Sequence, residues 1–438
     1  MIHSDVIIVG GGAAGLSAAI TAAECGARTA VIEHMDRVGK KLLSTGNGKC
    51  NYTNALQGVS CYRGEDPAFV LPVFSQFGFE ETVAWFLELG IYPKVKNGYY
   101  YPFSGQASSV LDVLRMECDH RKVDIHTSCY ITGLKKANGG WQISTNQDTF
   151  FACSVIFATG LLAAPKTGSD GSAFPYIEGL GHHFIDIVPA LVQLQGKQSF
   201  FKELAGIRAE ANIVMSIENV HVLQGKDAQI YRERGELQLT DFGISGIPVF
   251  QLSRFATRAL MQKRKVYVQI DFLPDVSEEM VDEMLFMRFQ LHDRSRTAHE
   301  ALIGLFHKKL ANVLLKESGI APQDPVARVS DRQRKKLAAM IKGFPVDIVG
   351  SKGMEAAQVC AGGIDTREID NETLESKLAK GIYFAGEVLD IDGTCGGYNL
   401  QWAWSSGHVA GHHAAEAAIR EHGSQKGIHS DHDPYQSA

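Results

Sequence analysis

The N-terminal part of the chain alternates between apolar runs typical of strands and a run of small residues typical of a helix. Residues 4–9 (SDVIIV) and 28–33 (RTAVIE) are short apolar segments, and residues 13–25 between them are small, with helical spacing. Strand, helix and strand in this order predict the βαβ unit of a parallel sheet. The second of these strands ends in the acid Glu33.

Shorter elements follow this unit. Residues 69–89 and 108–121 have the spacing of helices, and the aromatic-rich residues 98–105 predict a loop. Four short alternating segments predict a small antiparallel meander: 124–126, 129–135, 141–145 and 149–152. The fully apolar residues 154–158 predict a further buried strand.

The pattern changes near residue 190 and changes back near residue 345. Residues 191–275 alternate with a period near two, which predicts a β-rich, barrel-like insert, and residues 276–344 are charged and helical in spacing. The sequence therefore predicts an α/β, Rossmann-like domain, formed by residues 1–190 and 345–420 and split by the insert. The polar residues 421–438 predict a disordered tail.

Glycine is enriched, at 44 of 438 residues, and part of the excess lies in one motif. Residues 10–15 (GGGAAG) fit the G-x-G-x-x-G pattern between the first strand and the helix. Gly10 would make the tight turn, Gly12 would let a pyrophosphate approach, and Gly15 would let the helix pack on the strand. Glu33 would accept hydrogen bonds from ribose hydroxyls. This arrangement predicts a dinucleotide site.

A second glycine-rich signature near the C-terminus identifies the dinucleotide. Gly386 and Glu387 follow an apolar strand, and Gly396 and Gly397 open a helix. The N-terminus of such a helix would stabilise negative charge on a reduced flavin. A nicotinamide dehydrogenase needs no second signature, so both chain ends together predict FAD in a domain of the glutathione-reductase type.

Charge and cysteine content narrow the function further. With 43 basic and 49 acidic residues, the net charge of −6 disfavours nucleic acid and anionic membranes as partners. The uncharged residues 6–23 are interrupted by glycines and lack a basic flank, so no signal peptide or membrane span is predicted and a cytoplasmic location is expected. No C-x-x-C pair and no second G-x-G-x-x-G occur, which argues against a disulfide reductase.

Three further motifs resemble those of a known family. Residues 45–54 (TGNGKCNYTN) resemble the G-x-G-R-C-N-x-T-N signature of a bacterial FAD flavoprotein family, with Lys49 in place of Arg. Residues 386–390 (GEVLD) and 396–403 (GGYNLQWA) resemble its C-terminal signature, and residues 243–248 (GISGIP) are similar to its middle-domain motif. The family comprises aminoacetone oxidase-like, or NAD(P)/FAD-dependent, oxidoreductases and includes a flavoprotein of bile-acid dehydroxylation in gut bacteria.

The resemblance implies an FAD-dependent oxidoreductase with NAD(P)H as a transient electron donor. No His or Cys stands out as a covalent tether, so non-covalent FAD is expected. The motifs and the resemblance together predict cofactor contacts at Gly10, Gly12, Ala13, Ala14, Gly15, Glu33, His34, Lys40, Lys41, Gly48, Asn51, Ile131, Gly160, Gly386, Glu387, Gly397, Tyr398, Asn399 and Leu400. Ile131 is expected to contact adenine through its backbone.

Candidates for chemistry beyond that of the flavin are few. Cys395 directly precedes the second glycine motif and Tyr101 lies in the aromatic segment, so both are candidate catalytic residues. The alternatives are a small buried hydrophobe for Cys395 and simple packing for Tyr101. His408, His412 and His413 share a helical face, but no paired acid motif accompanies them, so no metal site is predicted.

Four functions are consistent with these patterns. The leading hypothesis is reduction, or the reverse dehydrogenation, of a small organic substrate such as an enone or a steroid-like bile-acid intermediate. Oxygen-dependent amine oxidation, of the aminoacetone type, is an alternative. FAD-dependent RNA modification is another, supported by the basic residues within 328–342, whose other interpretation is a solvated helix face. The last is a flavin-bearing sensor or scaffold without catalysis.

Overall fold

The structure, a computed structural model, describes residues 1–218, 229–290 and 296–428. The chain divides into two compact units. The first comprises Met1–Ile187 and Gln358–Ala438, and the second comprises Val188–Ala357.

A five-stranded parallel sheet organises the first unit. In spatial order its strands are Ile382–Phe384, Ser154–Phe157, Val6–Val9, Thr29–Ile32 and Asp124–His126. The predicted βαβ unit and the strand at 154–158 are confirmed. The prediction for 124–126 is wrong, because this strand pairs in parallel with Thr29–Ile32 and is not part of the meander. A pattern of three residues is too short to predict which neighbouring strand they pair with.

Two helices from opposite ends of the chain lie in direct contact in this unit. They are Ala13–Glu24 and Tyr398–Ile428, and Ser17 Oγ of the first donates to a carbonyl of the second over 2.8 Å. A Cβ atom at Gly407 or Gly411 would overlap a backbone carbonyl oxygen of the first helix. The two backbones can therefore approach this closely only because both positions are glycine.

A four-stranded sheet contains the predicted meander. Its strands, in spatial order, are Ile2–His3, Thr149–Ala152, Gly140–Thr145 and Ile131–Ala137. The last three strands pair antiparallel, as expected, and Ile2–His3 adds in parallel to Thr149–Ala152.

The aromatic segment predicted as a loop is the middle strand of a three-stranded sheet, called here the aromatic ribbon. Tyr99–Pro102 pairs antiparallel with Thr53–Asn54 and with Pro93–Lys96. Tyrosine favours strands, and Asn97 and Gly98 both have positive φ, as a tight hairpin turn requires. The loop prediction is wrong because this Asn-Gly turn was overlooked.

The first unit contains further helices and strands. The other helices are Lys40–Ser44, Thr45–Gly48, Val59–Cys61, Pro67–Phe69, Val70–Gln76, Phe79–Glu88, Ala107–His120, Pro165–Thr167, Phe174–Gly179, Thr366–Glu368 and Gly386–Val388, and the other strands are Tyr62–Arg63, Phe184–Ala190 (which runs into the second unit), Val359–Ile364 and Asp392–Gly393. The helix predicted at 69–89 is divided, because Phe77 is extended and the amide of Gly78 is capped by Glu81.

The second unit contains a closed six-stranded barrel. Its strands, in order around the barrel, are Leu194–Gly196, Gly243–Ser245, Gln229–Leu239, Arg208–Ile217, Val266–Asp271 and Phe344–Ser351. Its helices are Phe201–Leu204, Ile247–Met261, Glu278–Gln290, Ala298–Ala301, Lys308–Glu317, Val326–Arg328 and Asp331–Lys342. Apolar side chains of strands and helices form one continuous core in this unit.

Two features of the second unit differ from the sequence interpretation. The strand Phe344–Ser351 closes the barrel, so this unit extends to Ala357 and residues 345–357 do not belong to the nucleotide-binding unit. The helix Ile247–Met261 was not predicted, although Pro248 in its first turn is a helix-start signal.

The C-terminal helix is longer than expected. It continues to Ile428, so residues 421–428 are helical where a disordered tail was predicted. Residues 429–438 of that tail lie outside the described residues. Nowhere in the part of the chain that the structure describes is a helix both long enough and apolar enough to span a bilayer.

Candidate dinucleotide site

The glycine turn has the predicted geometry. Gly10 has a φ of 101°, and a Cβ there would lie 2.6 Å from the carbonyl oxygen of Ala158. A Cβ on Gly15 would overlap the carbonyl oxygen of Gly10, so helix and turn touch at this position. At Gly12, the residue before the helix Ala13–Glu24, a Cβ would meet nothing within 4 Å. The turn thus leaves open space in front of the helix N-terminus, where a pyrophosphate would be bound.

Glu33 lies at the end of its strand, as expected, and is held by two backbone amides. Its side chain is buried, and its two carboxylate oxygens accept from Gly11 N–H and Met35 N–H, each over 2.8 Å. His34 Nδ1 lies 3.4 Å from Glu33 Oε1, and its Nε2 lies 3.5 Å from Asp170. The carboxylate is thereby oriented beside the glycine turn.

Residues of the two chain ends meet at Lys41 and Glu387. Lys41 Nζ lies 2.6 Å from Glu387 Oε2, while Glu387 Oε1 accepts from Cys360 N–H over 2.8 Å. A Cβ on Gly160 would lie 3.6 Å from Glu387 Oε2, and one on Gly386 would lie 2.7 Å from the Cβ of Ala14. The structure therefore brings these predicted residues together beside the glycine turn.

Asn51 approaches the second glycine motif. Gly396 and Gly397 have φ values of 135° and 95° and lead into the helix Tyr398–Ile428. A Cβ on Gly397 would lie 3.0 Å from Asn51 Oδ1. That oxygen is buried and has no hydrogen-bond partner among the described residues. An unpartnered buried acceptor beside a helix N-terminus fits a bound ligand that donates to it.

Several predicted contacts have roles within the protein. Lys40 pairs with Asp36 over 2.5 Å. The side chain of Asn399 hydrogen-bonds both the N–H and the carbonyl of Gly393 over 2.8 Å, so it holds the chain in front of the C-terminal helix. Ile131 uses its carbonyl to accept from Tyr176, a residue that the sequence interpretation missed.

For three other predicted cofactor contacts, the structure gives the surroundings of the residue but no side-chain contact with the glycine turn. Tyr398 is buried edge-on against Tyr62, with ring centroids 6.0 Å apart, and Leu400 is half-buried in the first turn of the C-terminal helix. Gly48 lies in an exposed turn in which Gly46 and Asn47 also have positive φ. Any contact of these residues with a cofactor stays a prediction.

The two candidate catalytic residues lie close together. Burial raises the pKa of the Cys395 thiol. Burial also raises the pKa of Tyr101, and the neighbouring Tyr99 and Cys395 raise it further. A Cβ on Gly396 would lie 2.8 Å from the ring of Tyr99, and one on Gly46 would lie 3.9 Å from the ring of Tyr101. Both glycine loops therefore approach this cluster.

A possible metal-binding group occurs on the C-terminal helix. The ligand atoms of His412, His413 and Glu416 lie within 4.8 Å of one another. His408 belongs to a different environment, because it hydrogen-bonds Thr21 over 3.0 Å and stacks on Phe77. The prediction that the chain has no metal site stays a prediction.

The basic stretch at 328–342 is partly neutralised within the second unit. Arg334 pairs with Asp282 over 2.8 Å and with Asp331 over 2.8 Å. Lys342 pairs with Asp271 over 2.7 Å, and Lys336 donates to the carbonyl of Glu317 over 2.7 Å. These contacts weaken the RNA-binding interpretation of this stretch.

Comparison with known proteins agrees with the geometry. Residues 4–413 match the family described as HI0933-like protein Rossmann domain. The chain belongs to this family. A 3-dehydro-bile acid delta(4,6)-reductase of Clostridium scindens is 42% identical over 93% of this chain and 98% of the relative. The ribosomal RNA dihydrouridine synthases of Escherichia coli and Haemophilus influenzae are 27% and 29% identical over 93% of this chain and 96% and 97% of their own lengths.

Membership of the HI0933-like family confirms the predicted Rossmann-like α/β fold and the family resemblance. The chain is an FAD-dependent oxidoreductase, as its sequence predicted. The open space at Gly12 and the unpartnered oxygen of Asn51 fit this cofactor.

Proposed function

We propose that this HI0933-like oxidoreductase reduces the activated carbon–carbon double bond of a small apolar enone, with NAD(P)H as the electron donor. The observation that carries the proposal is the 42% identity, over 93% of the chain, to a protein named as a 3-dehydro-bile acid delta(4,6)-reductase. The dihydrouridine synthases match over the same share of the chain at no more than 29% identity.

We propose that FAD is held by the residues that the two chain ends bring together. The turn at Gly12 would receive the pyrophosphate, Glu33 the ribose hydroxyls, and Asn51 a donor group of the flavin. The open space, the oriented carboxylate and the unpartnered buried oxygen support these three roles. When bound and reduced by NAD(P)H, the flavin would supply the hydride for the β-carbon of the enone.

Glu33→Gln tests the assignment to the ribose. The amide keeps the shape of the side chain but loses the charge, and its NH2 group replaces one of the two oxygens that accept from Gly11 N–H and Met35 N–H, so FAD affinity is expected to fall by about tenfold. The dissociation constant measured by flavin fluorescence quenching checks this, with Glu88→Gln, an exposed acid, as the matched control. Equal affinity in Glu33→Gln and wild type would remove Glu33 from the ribose role.

The chain's own part in enone reduction is to orient the substrate and to deliver one proton to its α-carbon. We assign the proton to the hydroxyl of Tyr101. A tyrosine phenol is neutral at physiological pH even at its ordinary pKa of about 10, and burial raises the pKa of Tyr101, so the proton is present when it is needed. The raised pKa of Cys395 keeps that thiol protonated as well, so a nucleophilic thiolate is disfavoured there.

Tyr101→Phe is expected to slow enone reduction by about a hundredfold, because general acid catalysis typically contributes a factor of this size. Reduction of the flavin by NAD(P)H should be unchanged, so stopped-flow measurement of the two half-reactions separates the effects. Because the pKa of Tyr101 is raised, the wild-type rate of enone reduction should stay constant through neutral pH and fall only above about pH 10. Tyr100→Phe is the control, since its ring packs on Tyr52 and Phe79. A Tyr101→Phe enzyme with wild-type enone reduction would contradict the assignment.

Anaerobic stopped-flow spectroscopy tests the function itself. The flavin should bleach rapidly with NADH or NADPH and recover its colour when 3-oxo-4-cholenoic acid is added. Bleaching by aminoacetone, followed by recovery with oxygen, would instead establish an amine oxidase. A flavin that no donor reduces would favour the sensor or scaffold.

RNA modification is a second candidate, because two ribosomal RNA dihydrouridine synthases match over 93% of the chain. Dihydrouridine synthesis also reduces an activated double bond, so the proposed chemistry serves both substrates. Ribosomal RNA incubated with the holoenzyme and NADPH, followed by mass spectrometry of its nucleosides, decides between them. Dihydrouridine formation without steroid turnover would replace the first proposal by the second.

A further inference from the structure

The register of the aromatic ribbon places lysine and aromatic side chains in rows on one face. Lys94 pairs directly with Tyr101, and Lys96 pairs with Tyr99. The same register continues one step outward, where Phe103 N–H donates to the carbonyl of Tyr92 over 2.8 Å. Directly opposed residues of antiparallel strands share a face, as do alternate residues of one strand. The lysine–aromatic face therefore comprises Tyr92, Lys94, Lys96, Tyr99, Tyr101 and Phe103.

At Tyr100 the opposite face of the ribbon packs against the protein, whereas Val95, which pairs with Tyr100 on that face, is 53% exposed. Tyr100, which alternates with Tyr99 and Tyr101, has its ring 5.1 Å from that of Phe79 and 6.2 Å from that of Tyr52. On the lysine–aromatic face, by contrast, Tyr92 and Phe103 are each 70% exposed. Exposed aromatic side chains side by side are unusual unless they serve a binding site.

One end of the lysine–aromatic face meets the second glycine motif. Asn54 pairs with Tyr99 across the ribbon, and its Nδ2 donates to the carbonyl of Gly396 over 2.9 Å. The row of Tyr99 and Lys96 is therefore the inner row, next to the proposed flavin site. The row of Tyr92 and Phe103 lies four residues away along the strand, about 13 Å at the usual rise of a strand.

The outer row carries a positive charge. Lys94 Nζ lies 6.0 Å from the centroid of the Phe103 ring, so its ammonium group reaches outward from the middle row. Lys94 is exposed, and none of the six residues of the lysine–aromatic face is acidic. In a chain with a net charge of −6, this face carries two lysines and no acid, so its local charge is positive.

We propose that the lysine–aromatic face binds the substrate of the flavin site and selects an amphipathic anion, an apolar fused-ring molecule with a carboxylate at the end remote from the enone. The rings of the face cover the apolar body, and the ammonium group of Lys94 binds the carboxylate near the outer row. Tyr99 of the inner row and Tyr101 of the middle row hold the enone. This inference rests on the proposed function and adds the charge and length of its substrate. A small anion fits six residues better than RNA does, because RNA binding draws on phosphate contacts spread along the backbone.

Comparing the binding of 3-oxo-4-cholenoic acid with that of its methyl ester separates the contribution of the carboxylate charge from that of the apolar contacts. Wild-type holoenzyme should bind the acid more tightly than the ester, as measured by perturbation of the flavin absorption spectrum without NAD(P)H. Lys94→Gln should raise the Kd and KM of the acid roughly fivefold, as for an exposed ion pair, and leave kcat and the ester unchanged. Phe103→Ser should weaken acid and ester equally. Lys135→Gln, an exposed lysine of the antiparallel sheet, is the matched control.

Equal Kd values of acid and ester in wild type, or an acid Kd that Lys94→Gln leaves unchanged, would overturn the inference. So would a Lys94→Gln effect on binding of a ribosomal RNA hairpin that is absent for the steroid acid. Failure of the proposed function gives a different result, because neither the acid nor the ester would then be reduced. The binding measurement does not depend on turnover, so it still decides whether this face selects an anion.

Discussion

Gly12→Val is expected to weaken FAD binding by about a hundredfold or more while the apoprotein stays folded. The backbone of Gly12 has a φ of −79°, which any residue adopts, and a Cβ there meets nothing within 4 Å. The valine side chain would therefore fill the space in front of the helix N-terminus without displacing protein atoms. FAD retention through gel filtration measures the loss, and circular dichroism of the apoprotein measures the fold.

Gly179→Val is the matched control for this variant. A Cβ at Gly179 also meets nothing within 4 Å, and the residue ends a different helix, Phe174–Gly179. The control should retain FAD. A yellow Gly12→Val protein with wild-type affinity would show that the pyrophosphate does not approach this turn.

The double variant Gly407→Ala with Gly411→Ala is expected to lower the free energy of unfolding by about 1–3 kcal/mol at each position, since both new methyl groups overlap the backbone of the helix Ala13–Glu24. The direction of this change in the free energy of unfolding distinguishes the close contact from an ordinary helix position. Alanine in place of glycine inside a helix ordinarily stabilises it by up to about 1 kcal/mol. Chemical denaturation of the apoprotein measures the change.

Gly179→Ala supplies the comparison within the same protein. This residue lies in a helix with open space around its Cβ position, so the substitution should be neutral or slightly stabilising. If the double variant were as stable as Gly179→Ala, the close approach of the two terminal helices would be refuted.

Features set by neighbouring residues could be predicted from the sequence, whereas features that depend on residues far apart in the chain could not. The glycine turn and Glu33 could be predicted, because tight turns and strand ends are local features with strict residue requirements. The strand Phe344–Ser351 could not be assigned to the barrel, because its partners lie far away in sequence. Asp124–His126 was misassigned for the same reason.

In the candidate site, too, local motifs could be predicted and contacts between distant residues could not. The two glycine motifs identified the cofactor, but the contact of Lys41 with Glu387 depends on how residues 346 positions apart meet. The lysine–aromatic face was missed because Pro93–Lys96 was not recognised as a strand. Its alternation of Lys94, Val95 and Lys96 and the following Asn97-Gly98 turn were signals that could have revealed it.

The contact between the two terminal helices also constrains how the protein is made. Ser17 meets a residue 387 positions later in the chain, so the first helix leaves the ribosome long before its partner exists. All strands of the barrel lie within the continuous segment Val188–Ala357, between the two helices in sequence, and domains generally fold as units in the order of their synthesis. The flavin site is therefore the last part of the molecule to be completed. A chain truncated before Gly386 would contain every strand of the barrel but would lack Glu387 and the second glycine motif, so it could not assemble the site.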